Sequence, residues 1–378
     1  MDGHIHSRFA MRALLACAAA LACALLVAPT AGAAVKWVVK GRGFGHGVGM
    51  SQYGAYGYAT HGRDHQFILG HYYQGVSIGQ SPAAPVRVLL TIAGGDVSFS
   101  KATAACGRVL NPAKSYRAHR NGGGVRLLSS GGSPLANCGD KLRATGSGKV
   151  RIAGQGAFRG AFEAVPTSSG GSLNVINAVN VDKYVQGVIA GEMPSSWPLE
   201  ALKVQAVAAR SYALSSQVNG NGFGLYDDTR SQVYNGIAGE TARTNRAAKE
   251  TKQEVIMYGG EIVRAYYSAS SGGETENVEY GFIGSDPIPY LKGVEDPFDA
   301  DAPLPLHSWK LTFSSSAISS RLGVPGKLKE VQITKHGVSP RIVWAKLIGT
   351  GGTKKMRGDQ IQSALGAYST WMRFKKVG

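Results

Sequence analysis

From Gly41 to Gly49 every second residue is glycine, in the run GRGFGHGVG, and no other stretch restricts the chain as much. In an extended backbone successive side chains point to opposite faces. The spacing therefore predicts one face of bare backbone and an opposite face carrying Arg42, Phe44, His46, Val48 and Met50. A bare face lets another strand or a sugar chain approach closely. A dinucleotide loop instead needs G-x-G-x-x-G between a strand and a helix, with an acid about 20 residues further on. The alternating spacing does not supply it, so nucleotide binding is set aside. Ser51 is placed to cap a short helix through QYGAYGYA, and Asp64 to cap another ending near Gly75. His71 reads as structural. His46 is read two ways, as a group that bonds substrate or orients a catalytic acid, or as an imidazole held by backbone.

Arg8 and Arg12 precede an unbroken apolar run from Ala13 to Val27, and Ala31-Gly32-Ala33 follows, the pattern of an export signal. The run is shorter than the roughly 20 residues that span a bilayer. Cleavage after Ala33 is the expectation, a retained anchor the alternative, and the protein is expected to be secreted and associated with the cell wall. The full chain carries a formal net charge of +17 over 378 residues. A chain this basic associates with polyanions, and outside the cell these are wall polymers and membrane surfaces. The Lys and Arg residues are dispersed and form no recognisable nucleic-acid module, so no nucleic-acid partner is expected. Cys17 and Cys23 fall in the signal. Cys106 and Cys138 lie in one strand-rich region of an exported chain, where oxidation is permitted, and a disulfide between them is predicted against the alternative of two free thiols.

Between Val86 and Val179, short alternating runs (VRVLLTI, VRLL, KVRIAG, LNVINAV) are separated by Gly, Ser and Asn clusters, an all-β signature. Helical patterns lie on either side. The expected fold class is α+β: a single compact catalytic domain with a strand-rich subdomain and a central pair of helices. Its parts are a signal at 1–33, a glycine-rich segment at 34–80, the β-rich subdomain at 86–179, a core at 180–300 and a C-terminal α/β segment at 301–378. The first central helix is expected to start at Asp182 as N-cap and to stop at Gly191; the second starts at Pro198 and runs through LEALKVQAVAARSYALSS. Between them lies Glu192-Met193-Pro194-Ser195-Ser196-Trp197. The prolines hold Met193 and Trp197 extended, which leaves Glu192 on a stiff elbow beside apolar groups. Such surroundings raise a carboxyl group's pKa, as a general acid near neutrality requires. Lys203 and Arg210, seven residues apart, share a helix face and are expected to point toward one groove.

The residues GVIAGEMPSSWPLEALKVQAVAARSYAL closely resemble the central motif of the SpoIID/LytB family, the sporulation stage II protein D and amidase-enhancer proteins. SQVYNG and YYSASSGGETE are similar to its downstream motifs, and GRGFGHGVGMSQYGAYGYATHGRDHQFILGHYY to its other hallmark. The resemblance implies a lytic transglycosylase that cleaves peptidoglycan glycan strands through one essential glutamate, which the match places at Glu192. It also implies substrate-binding roles for Lys203, Arg210, Gln232, Tyr234, Ser270, Ser271 and Thr275, with Tyr234 stacking on sugar faces and the serines and Gln232 bonding hydroxyl or N-acetyl groups; His46 and Gln52 of the glycine-rich segment are further substrate-binding candidates. The same resemblance allows a non-catalytic enhancer that works with a wall amidase. Some members carry a His and Cys zinc site near SQVY; DDTRSQVYNG offers neither residue, so no metal and no cofactor are expected.

In the commoner family order the GHGVGMSQ segment follows the rest of the domain, whereas here it comes first. A circularly permuted order accounts for this if Trp37–Phe44 and Ser369–Phe374 lie on neighbouring strands, with the two ends of the mature chain side by side.

Overall fold

The alternating apolar runs form two largely antiparallel sheets laid face to face in a computed structural model that describes residues 35–303 and 305–378. The predicted signal, with Cys17 and Cys23, lies outside the described residues. In spatial order one sheet holds Pro134–Asn137, Gly124–Ser129, Ser115–Asn121, Val97–Ser100, Val150–Ile152 and Gly156–Phe158. The other holds Leu225–Tyr226, Pro85–Ala93, Leu173–Asn180, Ala161–Pro166, Leu142–Thr145, Ala104–Ala105 and Arg108–Val109. Their inner faces meet through residues such as Phe99 and Phe162, whose ring centroids are 5.2 Å apart. Cys106 and Cys138 are bonded to each other. Cys106 adjoins an edge of the second sheet and Cys138 follows the edge strand of the first, so the bond staples two sheet edges.

Closing a separation of 32 residues removes about 3–4 kcal/mol of unfolded-state entropy in the chain-entropy picture. The double variant Cys106→Ser/Cys138→Ser is therefore expected to unfold at a markedly lower denaturant concentration. An unchanged midpoint would show that the bond contributes nothing.

Five helices surround the site: α1 (Gln52–Thr60), α2 (His65–Tyr72), α3 (Val181–Glu192), α4 (Leu199–Ser215) and α5 (Ala242–Glu250). Ser51 and Asp64 cap α1 and α2 as the sequence predicts, accepting from Gly54 N and Phe67 N. At α3 the cap is Asn180 rather than Asp182: its side chain accepts from Asp182 N, while the Asp182 carboxylate is turned to Arg210. Gly191 does not end α3 either, since the helix continues through Glu192. The alanines of α4 at 201, 206, 208, 209 and 213 are fully buried. Without bulk beyond Cβ they let α4 pack against α1, α2, α3 and α5.

The glycine-rich run departs from the expected strand. Only Lys36–Arg42 is regular, and Gly43, Gly45, Gly47 and Gly49 all have positive φ, from 69° to 104°. Alternate left-handed residues coil the chain, so the predicted bare face does not exist. Glycine is needed for conformation and for contact, because a Cβ on Gly47 would lie 2.3 Å from the Arg341 guanidinium carbon and one on Gly49 2.2 Å from Tyr266 O. The close neighbour is thus the segment around Tyr266–Gly272 rather than a sugar.

Lys36–Arg42 forms the centre of a three-stranded antiparallel sheet between Ser308–Ser314 and Met372–Val377. Trp37 and Val39 from its inner face join Trp309, Ile318, Leu322, Leu347 and Met372 in a second apolar core, separate from the larger one. The Lys36 end of this strand therefore lies directly against the C-terminal strand, with Lys36 opposite Val377.

Candidate functional site

Glu192 is the last residue of α3, and the elbow after it is pinned from several sides. Met193 and Trp197 are buried, Trp197 packs against Tyr53 and Tyr56 of α1 at 6.1 and 5.1 Å, and Arg243 donates to Ser195 O and Trp197 O. On α3, Gly187 and Gly191 share a face, and a Cβ at either would come within 2.6–3.1 Å of the segment Val233–Gly236. Their bareness lets that segment lie close. It brings Val233 N–H to Glu192 Oε1 at 2.8 Å.

The Tyr267 hydroxyl and the Gln52 amide complete the polar surroundings of the carboxyl group. Gln232 donates to the Tyr267 hydroxyl at 2.8 Å and accepts from Tyr184 at 3.2 Å, while Gln52 donates to Gln205 at 3.2 Å. Since the Tyr267 oxygen already accepts from Gln232, its own proton is available to Glu192. Burial pushes the Glu192 pKa up from 4.5, and the three donors offset only part of that rise. A group with a folded pKa above its unfolded one contributes stability that is fully present below the unfolded pKa and lost as pH rises through the folded one. Glu192→Gln escapes that loss. Its melting temperature is expected to match wild type below about pH 4.5, to exceed it as pH rises through the elevated folded pKa, and to keep a constant lead above that; equal melting at every pH would refute the burial argument.

Of the sequence-predicted residues, the fold brings Gln52 and Gln232 to Glu192. Gln232 is 1% exposed, so it orders tyrosines rather than reaching a sugar. The others lie elsewhere. Arg210 is 0% exposed, bonded to Asp182 at 2.9 Å and to Glu254 O. Lys203 pairs with Glu200 and Glu250, both at 2.8 Å. The shared groove expected for these two cations is therefore absent: one is sealed inside and the other neutralised. Tyr234 does not offer a stacking face, being packed on Tyr184 and Phe158 with its hydroxyl donating to Asn177.

Ser270, Ser271 and Thr275 are also inside. Ser270 and Ser51 donate to Asp299 at 2.7 and 2.6 Å, Ser271 Oγ to Asp296 at 2.7 Å, and Thr275 closes on Val294. They order a buried carboxylate pair instead of a substrate. Asp299 is held below the usual carboxylate range because bonds from His307, Ser51, Ser270 and Ser271 outweigh the burial that pushes the other way. Burial and the charge of Asp299 push Asp296 up to about 7. Asp296 also accepts from Tyr72 at 2.8 Å.

His46 is half-buried and held by backbone, an arrangement in keeping with its structural reading. Val48 N donates to its Nδ1 at 3.0 Å, the ring packs on Phe282 at 4.8 Å, and burial, with the charge of Arg341, pushes its pKa down to about 4. It stays neutral and bonds the Tyr267 backbone. His71, read as structural, bonds Tyr58 and Glu295 O. Tyr184, Gln205, Tyr212 and Tyr267 belong to the site and escape sequence reasoning, since each lies far along the chain from the residue it serves. The half-buried Tyr212 stands close enough for the Glu192 charge to raise its pKa, although burial does more.

An acid that is ionisable, desolvated and partly open, on an elbow in an α+β scaffold, defines a candidate general acid–base site. Residues 169–258, which include this acid and Val233 but neither Gln52 nor Tyr267, match the family model described as Stage II sporulation protein. The chain is 39% identical over 137 residues to the protein named amidase enhancer of Bacillus subtilis (strain 168), covering 36% of this chain and 18% of that protein. It is 29% identical over 222 residues to Stage II sporulation protein D of the same organism, covering 54% of this chain and 62% of that one. An uncharacterized protein of Brachyspira hyodysenteriae is 39% identical over 126 residues, or 32% of this chain and 34% of its own length. The chain thus spans less than two thirds of these relatives. The segment that carries Glu192 matches the SpoIID family, and the chain is similar in part to proteins named amidase enhancer and Stage II sporulation protein D.

Proposed function

We propose that this is an exported, cell-wall-directed enzyme, a lytic transglycosylase that cleaves peptidoglycan glycan strands stripped of peptides. The observation that carries the reading is the Glu192 carboxyl group, shielded enough to have a raised pKa and held in place by Val233 N–H. An ordinary glycosidase needs two carboxyl groups. One suffices here, because the sugar's own 6-hydroxyl is the nucleophile. As the C1–O glycosidic bond breaks, Glu192 gives its proton to the leaving oxygen. The 6-hydroxyl oxygen bonds to C1, and its proton returns to Glu192, leaving a 1,6-anhydro end and a regenerated acid. Val233 N–H and Tyr267 stabilise the carboxylate between these transfers.

The test is digestion of purified, peptide-free glycan followed by mass analysis of the ends. Anhydro ends from wild type and none from Glu192→Gln support the proposal; reducing ends would make the protein a hydrolase. A second reading is favoured by the amidase-enhancer relative: a wall-binding protein that raises the activity of an amidase without cutting glycan itself. It predicts no new ends, and equal stimulation of amidase by wild type and Glu192→Gln.

A further inference from the structure

The outer face of the three-stranded sheet is built entirely without acid. Alternation along the strands turns Lys36, Lys40 and Arg42 outward on the central strand, Lys310 on one neighbour, and Arg373 and Lys375 on the other. Lys40 lies directly opposite both Lys310 and Arg373, so three cations stand in one row across the sheet. Neighbouring strands are about 5 Å apart, and like charges directly opposite one another destabilise a sheet. None of the six makes an ion pair among the described residues, where Lys203, Arg210 and Arg159 all do. The three strands contain no Asp or Glu. A cleft of about 600 Å³ opens on this face, lined by Lys40, Arg42, Ser308, Lys310, Trp371 and Arg373.

We propose that this face binds a flexible phosphodiester polymer of the cell wall, of the polyol-phosphate class, along the cleft. Charge complementarity requires an anion, and the remaining chemistry selects among anions. Outward neighbours of the cations are Ser308, Thr312, Ser314, half-buried Val38 and Val377, which is 45% exposed; a single exposed valine among six cations is too little apolar surface to enter a bilayer. Trp309 and Trp371 are 8% and 9% exposed, which withholds the open aromatic platform that single-stranded nucleic acid stacks on. A chain of evenly spaced single charges with small polar links fits a shallow cationic cleft. Its wall origin rests on the exported, wall-directed reading above; its charge chemistry does not. Held here, the protein would be retained in the wall independently of Glu192.

The experiment titrates full-length protein with purified polyglycerol phosphate over a salt series. Its other arms use phosphatidylglycerol vesicles and a single-stranded oligonucleotide at equal phosphate concentration. Lys40→Ser/Lys310→Ser/Arg373→Ser should weaken polymer binding by more than about tenfold and flatten the log–log salt slope by about two, as expected for three lost phosphate contacts on a flexible chain. Lys327→Ser/Lys329→Ser/Lys346→Ser removes the same charge from exposed sites elsewhere and should change binding by less than about twofold. The row variant should melt no lower than wild type, because repulsion is relieved. Equal weakening by both triples, tighter binding to vesicles or oligonucleotide than to polymer, or no binding by wild type would each overturn the proposal. Glu192→Gln should bind polymer like wild type, so a failure of the catalytic reading leaves this test intact.

Discussion

Glu192→Gln is expected to lower formation of anhydro ends about a thousandfold or more, while the protein stays folded and keeps whatever affinity for glycan the wild type has. General acid–base catalysis by one positioned group contributes roughly 10²–10⁴-fold, and in the proposed mechanism the same group performs both transfers. Glutamine keeps the acceptor for Val233 N–H, so the elbow holds its shape. Wild-type cleavage should also fall as pH rises through the elevated Glu192 pKa, because the first step needs the protonated acid. Tyr267→Phe removes a donor to the carboxylate and should move that alkaline limb upward, a shift that a purely structural tyrosine would not produce. Wild-type activity surviving in Glu192→Gln would end the single-acid proposal.

Asp299→Ala is expected to cost about 3–5 kcal/mol of stability, the range for removing one partner from a buried charged network. Ser51, Ser270 and His307 lose their acceptor together, and the backbone N–H groups of Ser271 and Gly272 lose the nearer of their two acceptors, keeping only Ser51 Oγ at 3.1 Å and Ser270 Oγ at 3.3 Å. The network joins the start of α1, the serine turn and residues 296–307, so its loss loosens the mount of Gln52 as well as the fold. Asp299→Asn, which keeps one oxygen, should lose less. Urea unfolding measures both. A loss below about 1 kcal/mol would return Ser270 and Ser271 to consideration as substrate groups.

How far the site could be read from the chain differs residue by residue. Glu192 on its elbow follows from local rules, since Pro194 and Pro198 restrict their predecessors and the apolar neighbours are adjacent in sequence. The caps at Ser51 and Asp64 are local for the same reason. Arg210 and Tyr234 misled because polar and aromatic side chains look alike in sequence whether they face water or a buried partner. Asp182, which takes Arg210 inside, sits 28 residues away, and Asn177, which takes Tyr234, 57 away. The glycine run misled differently. Alternation is compatible with an extended strand and equally with alternate left-handed residues, and only the approach of Tyr266 and Arg341 decides between them.

By itself the sequence determined the α+β class, the helix pair, the acid at position 192 and the strongly basic balance, because each depends on periodicity, capping or composition within a short window. Only the tertiary structure decided that Val233, Gln52 and Tyr267 attend that acid, that Ser270 and Ser271 serve Asp299 and Asp296, and that six cations share one acid-free face. Burial, close approach and strand register arise where distant segments meet, and a residue's chemistry is set by what it meets.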